Sequence, residues 1–253
     1  MEQFHEKVAL VVGGGSGIGR AIAVNFAKQG AKVVVAGRTS ETLNETRDLI
    51  REAGGEALSV QTDVSSYEEV QHLIEATVDG FGRLDFACNG AGAGGNLVPI
   101  IDVTEDDFDT IVSTNLKGVW LCMKFQIQQM LKQGYGSIVN ISSINGLAGT
   151  PNASIYAASK AGVVNLTKTA SLEYAKSNIR INVICPGAIH APLLEKIFND
   201  TGATKNQYES IIPQGRIGDP NEIAESAVWL CSDHASYING NVMTIDGGVS
   251  AKC

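Results

Sequence analysis

Aromatic side chains make up only 6% of the 253 residues, so the core of this chain has to rest on Val, Ile, Leu and Ala. Proline is scarce, six against 28 glycines, which excludes a proline-rich spacer and leaves room for many tight turns. Positive charge is the minority: 19 Lys and Arg face 27 Asp and Glu, a formal net charge of −8. That excess would repel a phosphate backbone, so nucleic acid is not an expected partner. A long apolar run is missing from the start of the chain. The stretch after the charged Met1–Lys7 is Val8 to Val12, far shorter than a signal-peptide core or a membrane span. No membrane partner and a cytoplasmic location are therefore expected. The five cysteines (Cys88, Cys122, Cys185, Cys231, Cys253) form no C-x-x-C pair and have no His at ligand spacing. Neither a disulfide framework nor a metal site is expected from them.

What is present is a globular composition, 44% hydrophobic and 18% charged, arranged with a clear rhythm. Strand-like runs are Val8–Val12, Lys32–Ala36, Ala57–Gln61, Leu84–Cys88, Ser137–Ile141, Arg180–Cys185 and Val242–Ile245. The central ones are apolar on both faces, as parallel strands covered by helices must be. Amphipathic stretches alternate with them: Ile18–Gln29, Glu41–Ala53, Tyr67–Phe81, Glu105–Lys132, Ile155–Lys176 and Asn221–Ser232. Cap signals at Thr104–Asp107 and Asp219–Glu222 mark two helix starts. Repeated strand–helix–strand order implies an α/β fold, one doubly wound parallel sheet with helices on both faces, in a single domain spanning 1–253. One stretch breaks the rhythm. Residues 187–217 form a long connection with an apolar cluster at Leu193, Leu194, Ile197 and Phe198, which predicts a short helical lid over a substrate.

The first strand runs straight into Gly13-Gly-Gly-Ser16-Gly17-Ile18-Gly19 and a helix. A glycine-rich turn of this kind lets backbone approach a pyrophosphate and presents a helix N-terminus to its charge. At the end of the second strand, dinucleotide folds that take the non-phosphorylated cofactor carry an acidic residue. Here Arg38 and Thr39 stand instead. A guanidinium can bind a 2′-phosphate in a fork and stack on adenine, so NADP(H) is the expected cofactor, with NAD(H) possible.

Three more segments fall where strand ends should converge: Asn89-Gly-Ala91-Gly92, Asn140-Ile-Ser-Ser143 and Tyr156-Ala-Ala-Ser-Lys160. Tyr156 and Lys160 are four apart on a predicted helix, hence on one face. A Lys near a phenol favours phenolate, and a positively charged oxidised nicotinamide would help further. Such a phenol can give a proton to a carbonyl oxygen or take one from an alcohol. By itself the Y-x-x-x-K pattern is weak, and the company it keeps gives it value.

In order, the chain carries Gly13-x-x-x-Gly17-Ile18-Gly19, Asp63-Val64, Asn89-Gly-Ala-Gly92, Asn115, Ser143, Tyr156-x-x-x-Lys160, Pro186-Gly187 and Asp246-Gly-Gly248. With these pieces it resembles the short-chain dehydrogenase/reductase family over essentially its full length, in the NADP(H)-preferring type of about 250 residues, and the resemblance implies a Rossmann-like fold. Ser143 lies at the family's usual interval before Tyr156, which selects it over Ser142. The resemblance implies Tyr156 as general acid/base and Lys160 as the group that binds the nicotinamide ribose and depresses the phenol pKa. Ser143 would bond the substrate oxygen, and Asn115 would sit at a break in a long helix and hold a water linking Lys160 to solvent. Asp63 and Val64 would contact adenine, Asn89 with Ala91 and Gly92 the adenosine side, and Pro186, Gly187 and Ile189 the carboxamide. A homotetramer assembled through the long helices is implied as well.

Three positions depart from the family pattern. Val12 stands where Thr is usual, Gly90 replaces an Asn, and Ala191 replaces the Thr or Ser that bonds the carboxamide. The expected activity is hydride transfer between NADP(H) and a ketone or secondary alcohol, a carbonyl reductase or alcohol dehydrogenase. An NAD-dependent dehydrogenase of a cyclic alcohol or diol is the alternative within that class. From a different class, the chain could be a catalytically silent nucleotide-sensing binding protein, against which the joint presence of Ser143, Tyr156 and Lys160 argues. The expected pocket comprises residues 93–98, 144–153 and the lid. Its only cations are Lys196, Lys205 and Arg216, so a neutral, partly apolar ketone is expected. His190 reads as an exposed loop residue.

Overall fold

Seven parallel strands form one sheet in the order β3-β2-β1-β4-β5-β6-β7 in the computed structural model, which describes residues 3–252. Met1, Glu2 and Cys253 lie outside the described residues. The strands are β1 Val8–Val12, β2 Lys32–Gly37, β3 Ala57–Gln61, β4 Phe86–Asn89, β5 Gly136–Ile141, β6 Ile179–Pro186 and β7 Val242–Ile245. Every residue of β1, β4, β5 and nearly all of β6 is buried, the consequence of packing helices on both faces. Alternation along β1 divides the core. Leu10 and Val12 pack with Leu73, Leu121 and Val163 on one face; Ala9 and Val11 pack with Ile22, Phe26 and Ile223 on the other.

The helices of the second face are α1 Gly17–Lys28, α2 Ser40–Glu52 and α9 Pro220–Cys231; those of the first are α3 Tyr67–Phe81, α5 Gly118–Gln133 and α6 Ser154–Tyr174. Both expected caps form. Thr104 Oγ1 accepts from Asp107 N at 3.1 Å, and Asp219 and Glu222 make a reciprocal capping box. The stretch 105–132 is α4 Glu105–Val112, a π-helical turn at Ser113–Lys117, and α5, so the long helix is interrupted at Asn115, where the resemblance implied a break. Strand β4 starts two residues later than expected. Leu84 is held by Gln133 through both main-chain groups, at 3.0 and 2.9 Å, and the buried Asp85 carboxylate accepts from Val8 N at 2.9 Å. Residues 187–217 hold two helices rather than one, α7 Pro192–Thr201 and α8 Lys205–Ile211, which share a small core of their own around Leu194, Ile212 and Ile217.

The four described cysteines are free thiols, all buried. Among the described residues no helix is long and apolar enough to cross a membrane.

Candidate active site

All seven strands point their C-terminal ends to one edge, so the loops after them meet there. The strand order reverses between β1 and β4, which opens a crevice flanked by the Gly13–Gly19 turn and the Asn89–Gly92 loop. The two loops touch: a Cβ at Gly13, whose φ is +82°, would lie 2.7 Å from Ala91 N. A Cβ at Gly19 would collide with the Gly13 carbonyl, which is why this turn is built of glycine. Ser16 is exposed and extended; it makes no side-chain cap, and the first turn of α1 holds no acidic residue. The free N–H groups of that turn are open to an anion. Arg20, absent from the sequence reading, fastens the turn by donating to Gly15 O at 2.6 Å and pairing with Glu45 at 2.7 Å. Its signal was an Arg one position past the motif, with an acid in the next helix.

Arg38 and Thr39 are exposed at the end of β2, and the Arg38 guanidinium makes no hydrogen bond or ion pair among the described residues. The Ser65 N–H and hydroxyl hold the Asp63 carboxyl below its usual range, with Arg38 and Lys117 adding to the effect. Three expected cofactor residues have their side chains committed elsewhere. Val64 packs in the core, as does Ile189, and the Asn89 amide exchanges hydrogen bonds with Gln126 (3.0 and 2.8 Å) and donates to Asn140 (2.9 Å). Any contact these three make with a ligand is through main chain. The sequence reading missed this buried amide network, which joins β4, β5 and α5.

At the catalytic end Lys160 is buried, and its Nζ donates to Ile141 O at 3.1 Å and lies 5.8 Å from the Tyr156 ring centroid. A Cβ at Gly92 would lie 3.5 Å from both Lys160 Nζ and Asn115 Oδ1, so these three residues converge. Ser143 Oγ accepts from Asn145 N at 3.1 Å, which leaves its proton for Tyr156 or a substrate oxygen. Asn115 sits in the π turn. Its Oδ1 accepts from Ala93 N at 2.7 Å, and its Nδ2 donates to Ala93 O (2.9 Å) and Ser159 Oγ (3.2 Å). With both amide hydrogens used, a water on this residue has to donate, to Oδ1 or to a carbonyl of the widened turn.

Burial pushes the Tyr156 phenol above its usual value, against a smaller opposing effect of its hydrogen bond with Ser143. Lys160 is itself desolvated and turned to Ile141, and burial lowers it from 10.5 to about 8. A Lys held below its unfolded value costs stability while it is charged, and that cost is relieved as pH rises from about 8 toward 10.5. The difference in unfolding free energy between wild type and Lys160→Met should therefore shift toward wild type across that range, by up to about 1.4 kcal/mol per pH unit. Denaturant melts at pH 7, 8, 9 and 10 would measure it; a constant difference would contradict the buried ammonium.

Beside Tyr156 lies a narrow cleft that opens to solvent. Gly94, Asn96, Val98, Asn152 and Ala153 line it as expected, and Asp107 and Ile111 of α4 join them. These two were missed because a helix 15 residues further along gives no local sign of folding back. The lid does not line this cleft but leans on its edge: Leu193 packs against Gly94, and Ala191 and Pro192 against Gly17. Each cation of the expected pocket is paired with an acid, Lys196 with Asp200, Lys205 with Glu209 at 3.5 Å and Arg216 with Glu222 at 2.6 Å.

A family profile described as enoyl-(acyl carrier protein) reductase matches residues 13–250. The chain belongs to the short-chain dehydrogenase/reductase family of oxidoreductases. It is 40% identical to levodione reductase of Leifsonia aquatica, over 98% of this chain and 96% of that one. It is 37% identical to a 2,5-dichloro-2,5-cyclohexadiene-1,4-diol dehydrogenase of Sphingobium indicum, over 99% and 100%. The crystal structure of levodione reductase superposes with a TM-score of 0.95 over 99% of this chain and all of the other. An actinorhodin polyketide ketoreductase solved with NADPH gives 0.92 at 34% identity, over 96% and 97%.

Proposed function

We propose that this protein transfers a hydride between a nicotinamide dinucleotide, NADP(H) in preference, and a neutral ring ketone or the matching secondary alcohol. The observation that carries the reading is the convergence of Tyr156, Ser143 and buried Lys160 beside a cleft, at the edge that also holds the open glycine turn. The turn suits the dinucleotide: its glycines leave no room for side chains, and the first turn of α1 offers uncapped N–H groups to a pyrophosphate. When bound, the dinucleotide supplies or accepts the hydride. The protein's own residues do the rest. Lys160 holds the nicotinamide ribose, Asn115 keeps the turn beside it in place, and Ser143 donates to the substrate oxygen where charge develops. Tyr156, with its raised pKa, keeps its proton at neutral pH and delivers it to the carbonyl oxygen.

The neutral substrate is supported by the pairing of Lys196, Lys205 and Arg216 with acids, and by Asp107 in the cleft wall. A ring is supported by the names of the relatives, which specify a dione and a cyclohexadiene-1,4-diol. Preference for NADP(H) is supported by Arg38, an exposed guanidinium at the end of β2 that would bind a 2′-phosphate in a fork. Wild type should oxidise NADPH faster than NADH with a panel of ring ketones, and Arg38→Asp should cut kcat/KM for NADPH by about 10- to 100-fold while raising that for NADH. Initial rates with both dinucleotides decide this. A wild-type preference for NADH would overturn the Arg38 assignment and leave the enzyme class standing.

A further inference from the structure

We propose that Ser154 is a specificity-determining residue that binds the second oxygen of a ring substrate carrying two, a cyclic dione or hydroxyketone. The inference rests on the ketone/alcohol reading and names its substrate class. Ser154 opens α6 two residues before Tyr156, and both line the same cleft. Its Oγ is buried and, among the described residues, has no hydrogen-bond partner. A buried hydroxyl without a partner is costly and uncommon, so something absent from the polypeptide should bond it.

The other serines buried in this helix show why Ser154 differs. Ser159 and Ser171 donate back to main-chain carbonyls of the preceding turn, each at 2.7 Å. Ser154, at the first helical position, has no preceding turn to reach. It is not the cap either; that place belongs to Ala153, which has no side chain to offer. The first turn holds no acidic residue, so this wall of the cleft presents donors and favours an acceptor.

The remaining walls narrow the ligand. Val98, Val103 and Ile111 supply apolar surface. The Asp107 carboxylate already accepts from Asn96 (3.0 and 3.2 Å) and Thr104 (2.9 Å), and its charge would repel a carboxylate or phosphate. With Tyr156 engaged on the reacting oxygen, Ser154 is left to donate to another. The fitting ligand is neutral, mostly hydrocarbon, and bears a second carbonyl or hydroxyl oxygen.

The test compares wild type and Ser154→Ala on cyclohexane-1,4-dione and cyclohexanone, with whichever dinucleotide supports turnover. The variant should lose about tenfold in kcat/KM for the dione, chiefly through KM, and change by less than about twofold for cyclohexanone. The Kd of the dione for the protein with oxidised dinucleotide, where no turnover occurs, should weaken by a similar factor in ligand-observed NMR. Ser154→Thr, which keeps the hydroxyl, should retain most of the discrimination. Equal changes for both ketones, or none for either, would overturn the proposal and leave a hydroxyl satisfied by water. Wild type that neither binds nor reduces either ring would remove the ketone reading itself, and this inference with it. Reduction of cyclohexanone without an advantage for the dione removes this inference alone.

Discussion

Replacing Tyr156 by Phe should lower kcat by about 10³-fold with a ring ketone as substrate, and leave the melting temperature and dinucleotide affinity close to wild type. The size follows from what a positioned acid contributes to a proton transfer, about 10²- to 10⁴-fold. The change deletes one oxygen from a phenol whose ring stays packed beside Lys160. Ser143 keeps its bond from Asn145 N, so the loop after β5 has no cause to move. The phenol's raised pKa adds a second expectation. Near neutrality it remains protonated, so reduction should proceed at full rate there and decline as pH rises through the Tyr156 pKa, and alcohol oxidation should gain over the same interval. Stopped-flow single turnovers on wild type and variant separate the chemical step from product release. Residual activity within about tenfold of wild type would mean that another group gives the proton.

The second large effect concerns stability. Asp85 is fully buried just ahead of β4 and serves three partners. Its carboxylate accepts from Arg83 at 2.7 and 2.5 Å, from Lys7 at 3.3 Å and from Val8 N at 2.9 Å. Asp85→Ala leaves the Val8 N–H unpaired inside the sheet and strips two cations of their shared acceptor. Losing one member of a buried pair costs about 3–5 kcal/mol; Arg83 and Lys7 reach solvent in part, which places this case near the lower end, about 3 kcal/mol. For a chain of this size that lowers Tm by roughly 6–12 °C. Asp85→Asn, which retains an acceptor for Val8, should cost about half as much. Calorimetric melts of the three proteins would settle it, and a loss under about 2 °C for the Ala variant would show that water replaces the carboxylate. Activity per folded molecule should be unchanged, because Asp85 lies at the opposite end of β4 from Asn89 and Gly92.

The chain's local chemistry settled a great deal before any tertiary contact was known. Two-sided burial of β1 is written in its unbroken apolar run, and strand–helix alternation leaves a parallel sheet as the way to connect the strands. Gly13–Gly19, Arg38 and the Tyr156–Lys160 spacing are likewise local, since each depends on residues within a turn or two. The tertiary structure decided what depends on residues far apart in the chain. The Asn89 side chain finds its partners in Gln126 and Asn140, 37 and 51 residues away, which no local pattern announces. Tyr156 and Lys160 read as a pair on one helix face, and only folding shows both to be desolvated, which raises the phenol and lowers the ammonium. Asp107 and Ile111 enter the cleft only because α4 folds back beside α6, and the Asn115 side chain in the π turn is clamped to Ala93 and Ser159. Sequence determines which groups can titrate, turn or bond; burial and long-range pairing decide which of them remain free to act, because desolvation and shared hydrogen bonds are set by neighbours that the chain brings together only on folding.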